Sequence, residues 1–454
     1  MDTGLVALII TLTVIAAAIL TKKCAECLFA GSCVAAVFAF GKHFFIELIR
    51  IIITQVSSHT WLWLLCGLFG SLAALFEKVN ATGEFSGFVS KFCKTDRKCC
   101  LTALLLGIII FIDDYLNVLT VGLCMKKSFD ERKIPRQALA YIVDCTGTPV
   151  CTLIPLSSWA AFYGAFFMQY SCVSDNYKSP ISAYTALIPY LFYPALTLLI
   201  LFLFCMGLFP KTGRMKKAFD RAADCRHMEC KSLNSLGSDD VFEKNNTSSG
   251  NSCNGTIYYF LVPMIILVAV SIAADEIIAG IIAGIISCFC LYVPLKKIKT
   301  GDFSKTVIDG FASMTGVIAL LTICYTFADI TSQMGIAGCM VNIFSTFLSA
   351  KTVPLVCFAI SAFLSFSTGT VWGTSAIIVP MLMPVIRSTG ANLLPSMAAF
   401  VSGGIFGAQA CVYADTTVLS ANSCDISNTE HAFSQMPYIC IAAFLSAIGY
   451  AAIG

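Results

Sequence analysis

Charged side chains are scarce: Asp, Glu, Lys and Arg make up 12% of the chain, about half the 25% share of an ordinary soluble domain. So few charges cannot cover a water-facing surface, and a soluble globular fold is excluded. Histidine is scarcer, with His43, His59, His227 and His431 far apart in sequence. The 23 cysteines lack zinc spacing, as in Cys99-Cys100 and Cys288-Phe289-Cys290. Most lie in apolar runs, where Cys acts as a small hydrophobe, so no resident metal or other cofactor is expected. HExxH, GxSxG and nucleotide-binding signatures are missing, which argues against a membrane enzyme. A net charge of +3 with no basic-aromatic stripe gives no sign of a nucleic-acid partner.

What is present in excess is apolar: 57% of residues, with a mean hydropathy of +0.83. The chain reads as an all-α, polytopic integral membrane protein. A crossing helix needs about 20 apolar residues, and the chain supplies about ten or more such elements, some of them broken. Met1-Asp2-Thr3 leads into the apolar run Gly4–Leu20 without a positive n-region or a small-residue cleavage site, so this run reads as a retained first membrane helix. Three parts are expected: a membrane half over 1–209, a hydrophilic linker over 210–255 and a second membrane half over 256–454. The linker is basic at first, then Asn/Ser/Gly-rich, and reads as disordered and cytoplasmic. Its sequons at Asn245 and Asn254 then carry no meaning.

Polar inserts interrupt the apolar runs. Asp113, Asp114 and Asn117 lie between the apolar stretch Leu101–Ile110 and the basic segment Lys126–Arg136. A mid-membrane charge costs roughly 2.5–3.5 kcal/mol on insertion scales, and no Arg or Lys lies within one or two turns to offset it. The pair reads as a cation or proton site; the alternative is a cap on a broken helix or a wet loop tip. Basic flanks on both sides place both ends in the cytoplasm, which predicts a re-entrant hairpin with its tip near Asp113–Asn117. In Asp144-Cys145-Thr146-Gly147-Thr148-Pro149, Gly and Pro predict an unwound helix. Its carbonyls and Thr hydroxyls suit a hard cation such as Na⁺; the alternative is a Pro kink with Asp144 as a cap. A hydroxyl-rich patch, Ser365–Ser375, and the run Asp415-Thr416-Thr417 interrupt the second half. They echo the first-half inserts at offsets of 255 (113 to 368) and 271 residues (144 to 415), which predicts a repeat around one midplane site.

Four motifs carry a resemblance. Phe111–Asn117 looks like F-x-D-D-Y-x-N, and Ala140–Val150 like A-Y-I-x-D-x-T-x-x-P-V. Thr368–Thr374 looks like T-G-x-x-W-G-T, and Asp415–Ser420 like D-T-T-x-L-S. In this order they resemble the NhaC-type sodium/proton antiporters of the ion-transporter superfamily. The resemblance implies a secondary transporter with two inverted repeats, re-entrant hairpins, discontinuous helices and elevator-type movement, set in the plasma membrane, with a homodimer as a possible assembly. It implies Na⁺/H⁺ exchange; relatives exchange or import organic acids or amino acids, so a Na⁺- or H⁺-coupled carrier for a small organic acid or amino acid is the alternative. Cation and proton handling falls to Asp113, Asp114, Asn117, Asp144, Thr146, Thr148, Asp415, Thr416 and Thr417. Substrate contact falls to Ser367, Thr368, Thr370, Trp372 and Thr374. One departure stands out: where the family shows an acid ahead of D-T-T, this chain has Ala408.

Overall fold

The computed structural model describes residues 3–21, 23–58, 60–79, 93–223, 258–274, 276–336, 339, 349–412 and 414–454. Among these residues all regular structure is helical, the expected outcome for apolar chain whose backbone groups must be satisfied without water. The first half carries α1 (Thr3–Thr21), α2 (Cys24–Phe40), α3 (Phe44–Ser58), α4 (Thr60–Lys78), α5 (Asp96–Ile109), α6 (Asp114–Glu131), α7 (Arg136–Leu153), α8 (Ser158–Phe167), α9 (Ser171–Ser174), α10 (Pro180–Thr185) and α11 (Phe192–Cys205). The second carries α12 (Tyr258–Ala274), α13 (Ile277–Tyr292), α14 (Thr300–Ser313), α15 (Thr315–Gln333), α16 (Val353–Thr368), α17 (Val371–Thr389), α18 (Leu393–Ala410), α19 (Asp415–Ser423) and α20 (Asn428–Ile453). Most of the linker, with Asn245, Asn254 and His227, lies outside the described residues, as does His59. Residues 213–223 are helical and bury Met215 and Ala218, so the start of the segment read as linker packs on the helices.

Two groups of helices pack side by side. One joins α1–α4 to α12–α15, and the other joins α5–α8 and α11 to α16–α20. Ring contacts between Phe166 on α8 and Tyr325 on α15, and between Trp159 and Trp372, tie elements across the core. α7 and α18 are central: every residue from Ala138 to Thr152 is buried, as is every residue from Pro395 to Ala410 except Phe406. Small residues make this possible. A Cβ on Gly403 or Gly407 would sit 2.2 Å from the carbonyl oxygens of Phe358 and Ala362 on α16, the close backbone approach that small residues allow between membrane helices.

α5 and α6 form a hairpin. Ten residues of continuous helix rise about 15 Å, yet Asn117 Nδ2 lies 2.6 Å from the Gly107 carbonyl. The feet also meet, with Arg132 beyond α6 pairing with Asp96 at the start of α5 at 3.5 Å. Nearby, Asp425 in the α19–α20 turn accepts Lys126 (2.6 Å) and Arg136 (3.2 Å), and these cations hold its carboxyl below the usual carboxylate range.

The break in the α7 region falls elsewhere than the sequence predicts. Residues 144–149 stay helical, and the chain breaks at 154–157 before α8, with a bend of 46°. Pro149 leaves one carbonyl short of a donor, but the hydroxyls bond inside the helix. Thr146 Oγ1 donates to Ile142 O (2.8 Å) and Thr152 Oγ1 to Pro149 O (3.0 Å). Ser157 then caps α8 by accepting the Ala160 amide. α7 and α18 are both 18 residues long and 257 positions apart (136 to 393), and the starts of α6 and α17 (114 to 371) and of α8 and α19 (158 to 415) share that offset; the 144-to-415 pairing read from sequence does not share it.

Among the described residues α18 and α20 are each long and apolar enough to cross a membrane. The bent pairs α7–α8 and Pro180–Tyr190 with α11 qualify as pairs. Several other apolar helices, such as α16, are shorter than a full crossing. Gly407→Val should destabilise the fold by about 1–3 kcal/mol through overpacking against α16, whereas Gly301→Ala, which meets no atom within 4 Å, should leave it unchanged. Thermal unfolding in detergent measures both.

Candidate cation site

The hairpin turn between α5 and α6 ends at Asp113, whose backbone is extended and whose carboxylate accepts the Leu116 amide at 3.1 Å, capping α6. Its other oxygen accepts Ser158 Oγ at 3.1 Å. Asp114, the first residue of α6, is 1% exposed. It accepts its neighbour's amide (Tyr115 N, 3.1 Å) and the Thr148 hydroxyl of α7 (3.2 Å). Among the described residues neither carboxylate pairs with Lys, Arg or His. The capping alternative thus describes Asp113, while Asp114 faces inward.

The second half supplies a carboxylate where α18 has ended at Ala410 and α19 begins. Asp415 opens α19, and its carboxylate accepts the Tyr115 hydroxyl at 3.1 Å. A cavity of about 20 Å³ lies between the halves. Asp114, Tyr115, Thr148 and Trp159 line it from one half, and Thr370, Trp372, Ala408, Asp415 and Thr416 are among the lining residues from the other. A water needs roughly 10–15 Å³ of such space, so the cavity accepts one particle of about that size, a water or a monatomic ion.

Its electrostatics can be weighed. The N-termini of α6, α17 and α19 line the cavity, each carrying about +0.5 of an elementary charge. Against these stand Asp114 and Asp415, with Asp113 behind. The hydroxyls of Thr148, Thr370 and Thr416 add neutral oxygens. Trp159 and Trp372, with ring centroids 4.7 Å apart, and Phe162, 4.5 Å from Trp372, form a hydrophobic cluster beside it. Ala408 puts a methyl in the cavity wall.

The remaining sequence-predicted residues sit elsewhere. Asn117 donates to the carbonyls of Gly107 (2.6 Å), Ile110 (2.7 Å) and Thr146 (3.2 Å), so it staples the hairpin to α7. Thr146 bonds its own helix. Thr417 donates to Ala408 O. Thr368 and Thr374 bond each other at 3.1 Å across the α16–α17 break, where Gly369 adopts the left-handed conformation (φ 72°). Ser367 is half-buried and donates to Phe363 O. Asp144 is fully buried outside the cavity, against His431 and Gln435. Sequence reasoning passed over Tyr115, Ser158, Trp159, His431, Gln435 and Gln409; the four-residue spacing of His431 and Gln435 on one helix face was the available signal.

Comparison with known proteins agrees with this picture. The model of the Na+/H+ antiporter family matches residues 150–454. The chain belongs to that family. It is a transporter, in keeping with the motifs. An uncharacterized Haemophilus influenzae protein is 26% identical over 433 residues, spanning 88% of this chain and 79% of that one. The crystal structure of the Alcanivorax borkumensis YdaH transporter shares the fold over 100% of this chain and 98% of its own, with a TM-score of 0.62 at 12% identity. MtrF of Neisseria gonorrhoeae, described within a class of antimetabolite efflux pumps, aligns over 88% of this chain and 84% of its own, with a TM-score of 0.48 at 12% identity.

Asn117→Ala should strand the carbonyls of Gly107 and Ile110, whereas Thr146 O keeps its partner within α7. At about 1–3 kcal/mol per unsatisfied buried group, the expected outcome is a clear fall in the unfolding midpoint, with Asp113→Asn milder because it keeps a capping oxygen. Thermal melts of the two variants in one detergent check the order.

Proposed function

We propose that this transporter exchanges Na⁺ for H⁺ by alternating access, with the cavity between Asp114 and Asp415 as the cation site. The carrying observation is the cavity itself: buried Asp114, with no cationic partner among the described residues, faces the more exposed Asp415 of the other half across room for one ion. A carboxylate that holds either Na⁺ or H⁺, but not both, couples the two fluxes without covalent chemistry. Thr148, Thr370 and Thr416 supply neutral oxygens, while Tyr115 holds the orientation of Asp415. The matching helix lengths at a 257-residue spacing support two inverted repeats. The split into two helix groups supports an elevator, in which α5–α8, α11 and α16–α20 move against α1–α4 and α12–α15. The basic residues Lys126, Arg136 and Arg221 put the hairpin feet and the start of α20 on the cytoplasmic side.

A carrier for a small organic acid is the second reading. The N-terminus of α17, with the hydroxyls of Thr370 and Thr374, favours a carboxylate. The size of the cavity disfavours it in this conformation, because the space accepts one atom-sized guest and no organic anion.

In proteoliposomes with an imposed pH gradient, added Na⁺ should dissipate the gradient through the unmodified protein, and Asp114→Asn should abolish the effect. A gradient that Na⁺ leaves intact, with the protein folded, would refute cation/proton exchange.

A further inference from the structure

A second buried polar cluster lies outside the cation cavity. Asp144, His431 and Gln435 are each 0% exposed. Gln435 Nε2 donates to Asp144 Oδ2 at 2.6 Å and lies 2.8 Å from the Gln409 carbonyl. Gln409 Nε2 donates to the Asp144 carbonyl at 3.0 Å, and its Oε1 accepts Tyr193 OH at 2.6 Å. His431 Nε2 stands 3.4 Å from Asp144 Oδ2, close enough for charge attraction but without hydrogen-bond alignment. Asp144 Oδ1, Gln435 Oε1 and both ring nitrogens of His431 have no hydrogen-bond partner. Unsatisfied buried groups are rare in native proteins and call for an explanation. Here they fall together on an acid, a base and the amide bridging toward both.

We propose that Asp144, His431 and Gln435 form a proton-binding site distinct from the cation cavity, an inference that rests on the exchange reading for its link to Na⁺. A proton added to the Asp144 carboxylate beside neutral His431 either neutralises Asp144 or makes His431 its cationic partner, so uptake of one proton leaves no lone charge in the apolar interior. The other titratable groups around it are phenols and thiols: Tyr141 and Cys145 on α7, Tyr193 and Cys205 on α11, and Tyr438 and Cys440 on α20. Such groups ordinarily titrate well above neutrality, and Asp144 and His431 are the one carboxylate and the one imidazole among the described residues of the cluster.

Two links join this cluster to the cavity. Asp144 and Thr148 lie one turn apart on the same face of α7, and Thr148 donates to Asp114. Gln409 follows Ala408, a wall of the cavity. A change of charge at Asp144 therefore acts about one helical pitch, 5.4 Å, from the hydroxyl that holds Asp114. Glu430, the residue before His431, bonds Gln137 (2.6 Å) and pairs with Arg221 (3.2 Å), whose side chain is 69% exposed.

Infrared difference spectra of the purified protein across a pH titration test the proposal without any transported solute. A protonated-carboxyl band should appear in the unmodified protein, vanish in Asp144→Asn and shift in His431→Gln. Because His431→Gln retains the carboxylate, it carries the test should Asp144→Asn fail to fold. Spectra that both variants leave unchanged overturn the site. A parallel assay of labelled-Na⁺ exchange separates the two readings. The expected result is Na⁺/Na⁺ exchange that persists in His431→Gln while the pH dependence of Na⁺-driven proton movement shifts. Bands that behave as expected with no Na⁺ exchange in any form would leave the proton site standing and remove the cation reading. Intact exchange with unchanged bands would do the reverse.

Discussion

The structure turns on two adjacent carboxylates held at the start of a helix, Asp114 buried and Asp113 half-buried, neither paired with a cation among the described residues. Asp113 spends its oxygens on the α6 amide and on Ser158, which stabilises the helix start and anchors it to α8. Asp114 is left facing the cavity with only hydroxyl and amide donors. The charge is tolerable because the positive end of α6 lies beneath it and the N-termini of α17 and α19 line the same space. Without this convergence a buried carboxylate in an apolar interior would be too costly to retain.

The convergence depends on where the helices stop. Three breaks, at 110–113, at 369–370 and at 411–414, bring helix starts to one place, and the bend at 154–157 brings Ser158 and Trp159 beside them. The glycines of α18 let α16 lie against its backbone, and Asn117 ties the hairpin carbonyls to α7. Packing thus fixes the frame, while the cavity keeps polar atoms that its own neighbours do not saturate. The second cluster follows the same logic one turn along α7, where an acid and an imidazole share a dry pocket.

Much of this was legible in the sequence. The lack of charge announced the membrane, and the basic flanks around Asp113 and Asp114 announced a hairpin with both feet on one side. The hydroxyl-rich inserts marked three of the elements that meet at the cavity. What could not be read was which inserts unwind. Gly147 and Pro149 looked like a break, but enclosure on all sides and hydroxyls bonding their own helix keep α7 intact to Leu153. His431 and Gln435 were missed because a lone histidine in an apolar helix shows nothing until the helix opposite supplies Asp144.

The most direct measurement is equilibrium binding of labelled Na⁺ to the purified protein, comparing Asp114→Asn, Asp415→Asn and Asp144→Asn. The account predicts saturable binding at one site, lost with either cavity carboxylate and retained without Asp144. Binding that survives both Asp114→Asn and Asp415→Asn would contradict it, because the cavity between the two halves would then not be where the cation sits.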